Sequence, residues 1–234
     1  GAARGNPELK PMRADQFDVA LEWYPSPTHS LYLTAFRKNV EDFFTTGTHT
    51  RTFEGRDFLV SGPTNGDEGT IQGFEVGYQQ FYDFLPGWLS GLGLQANFTY
   101  IDSEGSTSQQ YISEWDAAEV IDGLPLEGLS EKAWNIIGLY QRGPVQARLA
   151  YNWRGKYLLT NRDVSDVRLP MWQDDYGQLD GSVIVELRDG VSLAIEGNNL
   201  ANSENRQLMG SDVLKTRSWW VYDRRFAVTL RASF

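Results

Sequence analysis

The stretch Trp220-Val221-Tyr222-Asp223-Arg224-Arg225-Phe226-Ala227-Val228-Thr229-Leu230-Arg231-Ala232-Ser233-Phe234 alternates with period two up to its final aromatic residue. Ala232, Leu230, Val228, Phe226, Tyr222 and Trp220 share one parity, Ser233, Arg231, Thr229, Arg225 and Asp223 share the other, and Arg224 alone breaks the apolar set. Successive side chains of a strand point to opposite faces, so the stretch predicts one oily and one charged surface over a length that crosses a bilayer. A transmembrane β-barrel needs this alternation, apolar towards lipid and polar towards the lumen. The closing strand of a soluble sandwich shows it too, against a buried core.

One strand does not separate the two; its repetition does. Leu179, Gly181, Val183, Val185 and Leu187 oppose Gln178, Asp180, Ser182, Glu186 and Arg188, and Val191, Leu193 and Ile195 oppose Ser192, Glu196 and Asn198. Val145, Ala147, Leu149, Tyr151 and Trp153 oppose Gln146, Arg148, Asn152, Arg154 and Lys156, a polar face charged beyond what a solvated sheet needs. Leu92, Leu94, Ala96, Phe98 and Tyr100 face away from Gln95, Asn97 and Thr99; Phe74, Val76 and Tyr78 from Glu75 and Gln79; Phe17, Val19, Leu21 and Trp23 from Asp18 and Glu22. Long strands repeating this pattern predict a barrel.

Composition narrows the classes. The 234 residues suffice for one large β domain or a piece of a larger one. Mean hydropathy is −0.44 and no run of about twenty apolar residues occurs, so membrane contact must come from alternating strands, whose hydropathy averages to polar. The absence of cysteine removes disulfides, thiolate metal sites and thiol catalysis, and is compatible with an oxidising periplasm. A formal charge of −10, from 31 acidic and 21 basic residues, argues against a nucleic-acid partner, because phosphate binding needs a basic surface. Gly1-Ala2-Ala3-Arg4-Gly5 lacks the n- and h-regions of a signal peptide, so such a segment is either cleaved or lies upstream, and the second is expected.

Connections alternate in length. Pro25–Thr28, Leu85–Gly91, Arg142–Pro144 and Asp189–Gly190 are short and rich in turn residues, whereas 45–67, 104–130, 160–175 and 201–216 are long. Short periplasmic turns and long extracellular loops give a barrel this asymmetry. It predicts that Leu31–Phe44, Leu92–Asp102, Val145–Leu159 and Val191–Leu200 run outward, and that Phe17–Tyr24, Ile71–Phe84, Trp134–Arg142, Gly177–Arg188 and Trp219–Phe234 run inward. In Leu31–Phe44 and Trp134–Arg142 apolar residues fall on both parities and the facing stays open. About nine strands result, an odd number that a bacterial single-chain barrel does not use, so a fragment is expected.

Gly5-Asn6-Pro7-Glu8-Leu9-Lys10-Pro11 with Asp15-Gln16-Phe17-Asp18, then Phe36-Arg37-Lys38-Asn39-Val40-Glu41-Asp42-Phe43, resembles the mid-barrel of TonB-dependent outer-membrane receptors. Gly73-Phe74-Glu75-Val76-Gly77-Tyr78-Gln79-Gln80, Gln95-Ala96-Asn97-Phe98-Thr99-Tyr100, Gly197-Asn198-Asn199-Leu200-Ala201-Asn202 and terminal Phe234 follow in order and resemble that family, particularly its Caulobacter-type branch. The resemblance implies energy-coupled import through a 22-stranded barrel filled by an N-terminal plug. It implies the plug, the TonB–ExbB–ExbD system, outer-membrane lipid and the barrel-assembly machinery as partners, with Phe234 as the assembly signal. The plug, the TonB-contacting box and the first strands have no counterpart in this chain, which would hold the last nine or so strands, residues 1–234 forming the C-terminal portion of the barrel.

Candidate chemistry is sparse. Two histidines, His29 and His49, leave no Ser/His/Asp arrangement and no histidine-rich metal set, so neither an enzyme nor a cofactor or metal site is expected. Asp174, Asp175 and Glu114/Asp116/Glu119/Asp122 read as a solvated loop surface, with calcium as the alternative. Tyr111, Trp115 and Asp116, and Trp172, Asp174 and Asp175, combine flat rings with carboxylates, which suits a saccharide; the alternatives are loop packing for Tyr111 and Trp115, and an interfacial aromatic girdle for Trp172, Tyr176, Trp219 and Trp220. Arg148, Arg154, Lys156, Arg162, Arg188, Arg225 and Arg231 fall on the lumen parity, where the resemblance implies plug contact rather than substrate contact. The expected function is uptake of a scarce or large substrate, first a saccharide, otherwise a ferric siderophore or metal chelate. A non-transporting adhesin or assembly component and an outer-membrane barrel enzyme are the alternatives from other classes.

Overall fold

Period-two sequences with β-branched and aromatic residues form strands, and strands account for nearly all the regular structure. The computed structural model describes every residue except 1, 4, 67, 106–123, 161–168, 212 and 234. In chain order the strands are β1 (Ala2–Ala3), β2 (Arg13–Ser26), β3 (His29–Glu41), β4 (Phe44–Phe53), β5 (Arg56–Asn65), β6 (Glu68–Phe81), β7 (Leu92–Gly105) and β8 (Lys132–Arg142). They continue as β9 (Val145–Arg154), β10 (Tyr157–Thr160), β11 (Met171–Gln173), β12 (Tyr176–Arg188), β13 (Val191–Asn198), β14 (Glu204–Met209), β15 (Lys215–Val221) and β16 (Arg225–Ala232). A 3-10 turn, Gly87–Gly91, is the one helical segment among the described residues.

Nine strands form one up-and-down sheet in the order β16-β13-β12-β9-β8-β7-β6-β3-β2. This matches the nine expected, each next to its neighbour in the sheet's own sequence, and the run from β7 through β8, β9, β12 and β13 to β16 pairs antiparallel throughout. The chain divides into two compact units, Gly1–Asp18 with Phe36–Gln72 and Asp102–Leu126, and Val19–Ala35 with Gly73–Ile101 and Glu127–Phe234.

In the second unit, registers align one apolar row after another. Leu94, Gly138, Leu149, Gly181, Gly197 and Phe226 face one another across six adjacent strands, and Leu92, Tyr140, Ala147, Val183, Ile195 and Val228 form the next row. Opposed residues of an antiparallel pair share a face, so Trp134, Ile136 and Tyr140 belong to the apolar side, while Ile137 and Leu139 belong to the polar one; this settles the facing of β8. The apolar side is not a core: Val228 is 71%, Phe226 70%, Leu230 67% and Leu149 52% exposed. Ala232, Leu187 and Val183 are exposed as well, while Val185 and Leu193 are half-buried. Among the described residues only Val40, Val60, Ala150 and Leu158 are buried hydrophobics, and Ala150 stands on the polar side opposite Ile137 and Asp180. A soluble sandwich would bury its apolar rows instead.

Two expected strands, Val145–Leu159 and the closing stretch from Trp219, are interrupted, and the expected long connections 160–175 and 201–216 carry strands of their own. Beyond their breaks β9, β12, β13 and β16 are continued by β10, β11, β14 and β15, which pair in the corresponding order β10-β11-β14-β15. At the first break Gly155 donates its N–H to the Lys132 carbonyl at 2.8 Å, and a Cβ there would stand 3.1 Å from that oxygen. At the second, Asp174 N–H turns to the Arg206 carbonyl at 3.0 Å. The third and fourth breaks meet at Asn199, which is 5% exposed with φ +53°. Its backbone N–H donates to Asp180 Oδ1 at 2.9 Å, its Nδ2 to the carbonyls of Tyr222 (2.9 Å) and Ser203 (3.2 Å), and its Oδ1 accepts from Ser203 N at 2.7 Å. One side chain thus replaces the ladder where β13 and β16 both lose it.

Within the first unit the connection read as loop 45–67 is largely the β4–β5 hairpin, closed at Glu54-Gly55 with φ +49° and +74°. Positive φ at both central residues is the turn that matches strand twist. Asn65 ties the hairpin's base, donating Nδ2 to the carbonyls of Lys10 (3.0 Å) and Asp42 (2.7 Å) and accepting from Lys10 N–H at 2.8 Å.

Candidate functional site

The polar side of the second unit carries an amide-rich band. Asn97, Asn135, Asn152 and Gln178 stand in one cross-strand row on β7, β8, β9 and β12. Asn135 Nδ2 donates to Asn97 Oδ1 and Gln95 Nε2 to Gln79 Oε1, both at 2.8 Å. Tyr32 Oη donates to Glu75 Oε1 at 2.8 Å, and Ser30, Tyr32, Gln79, Gln95, Asn97 and Asn135 line a hollow of about 180 Å³. Further along, Gln178 Nε2 donates to both Asp180 oxygens at 2.8 and 3.0 Å, and Tyr176 Oη donates to Gln178 Oε1 at 2.7 Å. Amides side by side offer donors and acceptors together, so the band can hydrogen-bond either a polar protein segment or a hydroxyl-rich solute.

Cations flank this band. Arg148 stands opposite Leu139 and Ser182, Arg225 opposite Asn198 and Arg231 opposite Ser192, all on the polar side, and none forms an ion pair with a described residue. Arg154 shares the side but is engaged: its Nε donates to Ser130 Oγ at 2.7 Å, its Nη2 to the Gly128 carbonyl, and its guanidinium lies 3.9 Å from the Tyr157 ring centre. Arg188 departs from the expected facing. A β-bulge between Glu186 and Arg188 inserts one residue, so Arg188 stands opposite Val191, in register with the apolar rows.

The expected ligand contacts divide. Tyr111, Trp115 and Asp116, like Arg162 and Phe234, lie outside the described residues. Trp172, Asp174 and Asp175 come together where β11 meets β12, but with internal partners. Trp172 Nε1 donates to the Gly210 carbonyl at 3.0 Å and its ring lies 5.1 Å from Lys156 Nζ; Asp174 pairs with Arg206 at 3.4 Å; Asp175 accepts from Trp153 Nε1 at 3.3 Å. Among the described residues no three His, Asp or Glu gather as a metal set. The amide band and the Asn199 junction went unread in the sequence; the signal for the second was the Asn/Gly-rich run 197–202, which turn chemistry favours.

A family model described as TonB dependent receptor-like, beta-barrel, matches residues 1–200. The chain belongs to the TonB-dependent receptors. The receptor's barrel therefore lies in the outer membrane, its apolar rows against lipid and its short turns towards the periplasm. Similar solved structures include the siderophore receptor PirA from Acinetobacter baumannii (17% identity, 99% of this chain and 33% of that one, TM-score 0.65). The FrpB iron transporter from Neisseria meningitidis aligns at 13% identity over 100% and 32% of the two chains with TM-score 0.60, and the copper transporter OprC at 16% over 99% and 33% with TM-score 0.64. These likenesses concern the fold, and the chain spans about a third of each of those proteins. No curated protein sequence matches it.

Proposed function

We propose that residues 1–234 form the C-terminal part of the barrel of an energy-coupled importer, working with an N-terminal plug of the same receptor and, through it, with TonB–ExbB–ExbD. The observation that carries this is the pairing of an exposed apolar side with a polar side of hydrogen-bonded amides and of arginines that form no ion pair with a described residue. Such a polar side suits a plug, which needs hydrogen bonds from a wall it fills but must leave. Arg148, Arg225 and Arg231 are its plug contacts. The substrate class we favour is a metal chelate such as a ferric siderophore. Trp172, Asp174 and Asp175 are held by Gly210, Arg206 and Trp153, which leaves them little to offer a sugar, and the similar solved structures are named as siderophore, iron and copper proteins. A saccharide remains the second reading, favoured by the amide-rich band and resting on Tyr111, Trp115 and Asp116. Uptake of radiolabelled ferric siderophores and oligosaccharides by cells carrying the complete receptor tests both: TonB-dependent chelate uptake is expected, and TonB-dependent uptake of oligosaccharide alone would reverse the order.

Phe234 is proposed as the signal read by the barrel-assembly machinery. Burying one aromatic contributes about 1.5–3 kcal/mol at most, too little to make Phe234 decisive for the stability of a whole barrel. Deleting Phe234 is expected to lower the amount of receptor in the outer membrane far more than it labilises receptor already inserted. Wild-type abundance with a labile folded band on heat-modifiability gels would make it a packing residue instead.

A further inference from the structure

The apolar side of the second unit is not smooth. Gly138, Gly181 and Gly197 occupy one cross-strand row with Leu149, and the absent side chains leave an apolar groove of about 520 Å³ bordered by Leu149, Leu200 and Phe226. Leu200 forms one wall by folding back over the sheet: a Cβ on Gly197 would stand 2.6 Å from its Cδ2 and one on Gly181 3.2 Å from its Cδ1. At Gly138 the floor is open, the nearest atom to a Cβ being the Leu149 carbonyl oxygen at 3.9 Å.

The groove lies in the lipid-facing surface, and charge marks its periplasmic end. Arg142, on β8, shares the parity of Gly138 and stands four residues nearer the short turns, roughly 13 Å at strand rise. Arg188, two strands away, is brought to the same side by its bulge. The two lie roughly 10 Å apart across the strands and 7 Å along them, so two arginine side chains can close on one phosphate. Both are exposed, and neither forms an ion pair with a described residue. Asp189 and Glu186 are the nearest acids in sequence, Asp189 in the turn and Glu186 on the polar side.

We propose that this groove is a phospholipid site of the periplasmic leaflet, in which the glycine row takes an acyl chain while Arg142 and Arg188 hold the headgroup phosphate. The occupant follows from continuity with the bilayer and from charge: a lone acyl chain would have no use for two arginines that a bulge and a turn bring to the oily side, and a protein partner would have to displace lipid. An anionic headgroup leaves net negative charge for both guanidiniums; a zwitterionic one does not.

Native mass spectrometry of the delipidated complete receptor tests this, with dioleoyl phosphatidylglycerol, dioleoyl phosphatidylcholine and dioleoylglycerol as probes. One tight phosphatidylglycerol is expected, bound above phosphatidylcholine. Each arginine near an anionic lipid surface is worth about fivefold, so Arg142→Gln with Arg188→Gln should weaken phosphatidylglycerol about 25-fold and leave dioleoylglycerol unchanged. Gly138→Leu fills the floor and should abolish retention of both; Gly138→Val gives the same readout if the leucine impairs insertion. Unaltered phosphatidylglycerol binding in the double arginine variant, or in a folded Gly138 variant, overturns the proposal, as does equal retention of all three probes in the wild type.

Discussion

Replacing Asn199 by alanine is expected to cost the inserted receptor about 2–5 kcal/mol. The change strips partners from the carbonyls of Tyr222 and Ser203 and from Ser203 N–H, at a residue only 5% exposed. Tyr222 is 49% exposed, so its carbonyl can regain water, while each half-buried Ser203 group left unpaired costs about 1–3 kcal/mol. It also leaves a Cβ residue at φ +53° without the local hydrogen bonds that let asparagine rest there. Asn199→Gly separates the two causes, because glycine occupies that conformation freely and should recover about 1–2 kcal/mol. A barrel unfolds irreversibly on heating, so the measurement is the temperature and rate at which the folded band converts on semi-native gels. Equal stability of the alanine and glycine variants would assign the whole loss to the hydrogen bonds; wild-type conversion in both would remove Asn199 from the structural account.

The second large effect is a contrast between neighbours. Val228 is 71% exposed and sits on the apolar side opposite Ile195; Thr229 follows it on the polar side opposite Ala194. In a water-soluble protein an arginine at so exposed a valine would be nearly neutral. On a lipid face near the middle of the bilayer it costs about 2–4 kcal/mol, whereas a lumen-side substitution changes selectivity and not stability. Val228→Arg is therefore expected to deplete folded receptor in the outer membrane and Thr229→Arg to leave it near wild type, by quantitative blot of heated and unheated samples. Equal depletion by both would mean that the two parities do not face different media.

The fold was legible where a strand's two faces meet different media and opaque where cross-strand partners decide. In β12, β13 and β16 most apolar and polar residues sort by parity, Ile184, Ala194 and Ala227 excepted, and the registers Val183–Ile195–Val228 and Ser182–Glu196–Ala227 keep the rest sorted. In β8 the sequence shows Ile136, Ile137 and Leu139 on both parities; only pairing with Ala96, Gln95 and Arg148 tells them apart. The break after Asn198 depends on Asp180 and Tyr222, 19 and 23 residues away, so no local pattern announces it. Arg188 was misassigned for a related reason: a bulge inverts parity, and nothing in Glu186-Leu187-Arg188 distinguishes a bulge from a continuing strand. Among the candidate ligand contacts, Trp172, Asp174 and Asp175 were singled out by residue type, yet a tryptophan beside carboxylates serves a junction between strands as well as it serves a sugar.

The interruption of four adjacent strands along one line has a consequence for how such a receptor changes over time. A sheet transmits register: a residue inserted into an unbroken strand turns every later side chain to the opposite face. Here Gly155, Asp174, Asn199 and the Tyr222–Arg224 segment each take up the chain before the next strand starts, and side-chain and carbonyl bonds, not ladder bonds, carry the load there. Insertions and deletions beyond that line are absorbed without disturbing which residues meet lipid below it. The outer portions of these four strands are thereby free to diversify, while the spanning portion keeps the alternation by which the chain can be read.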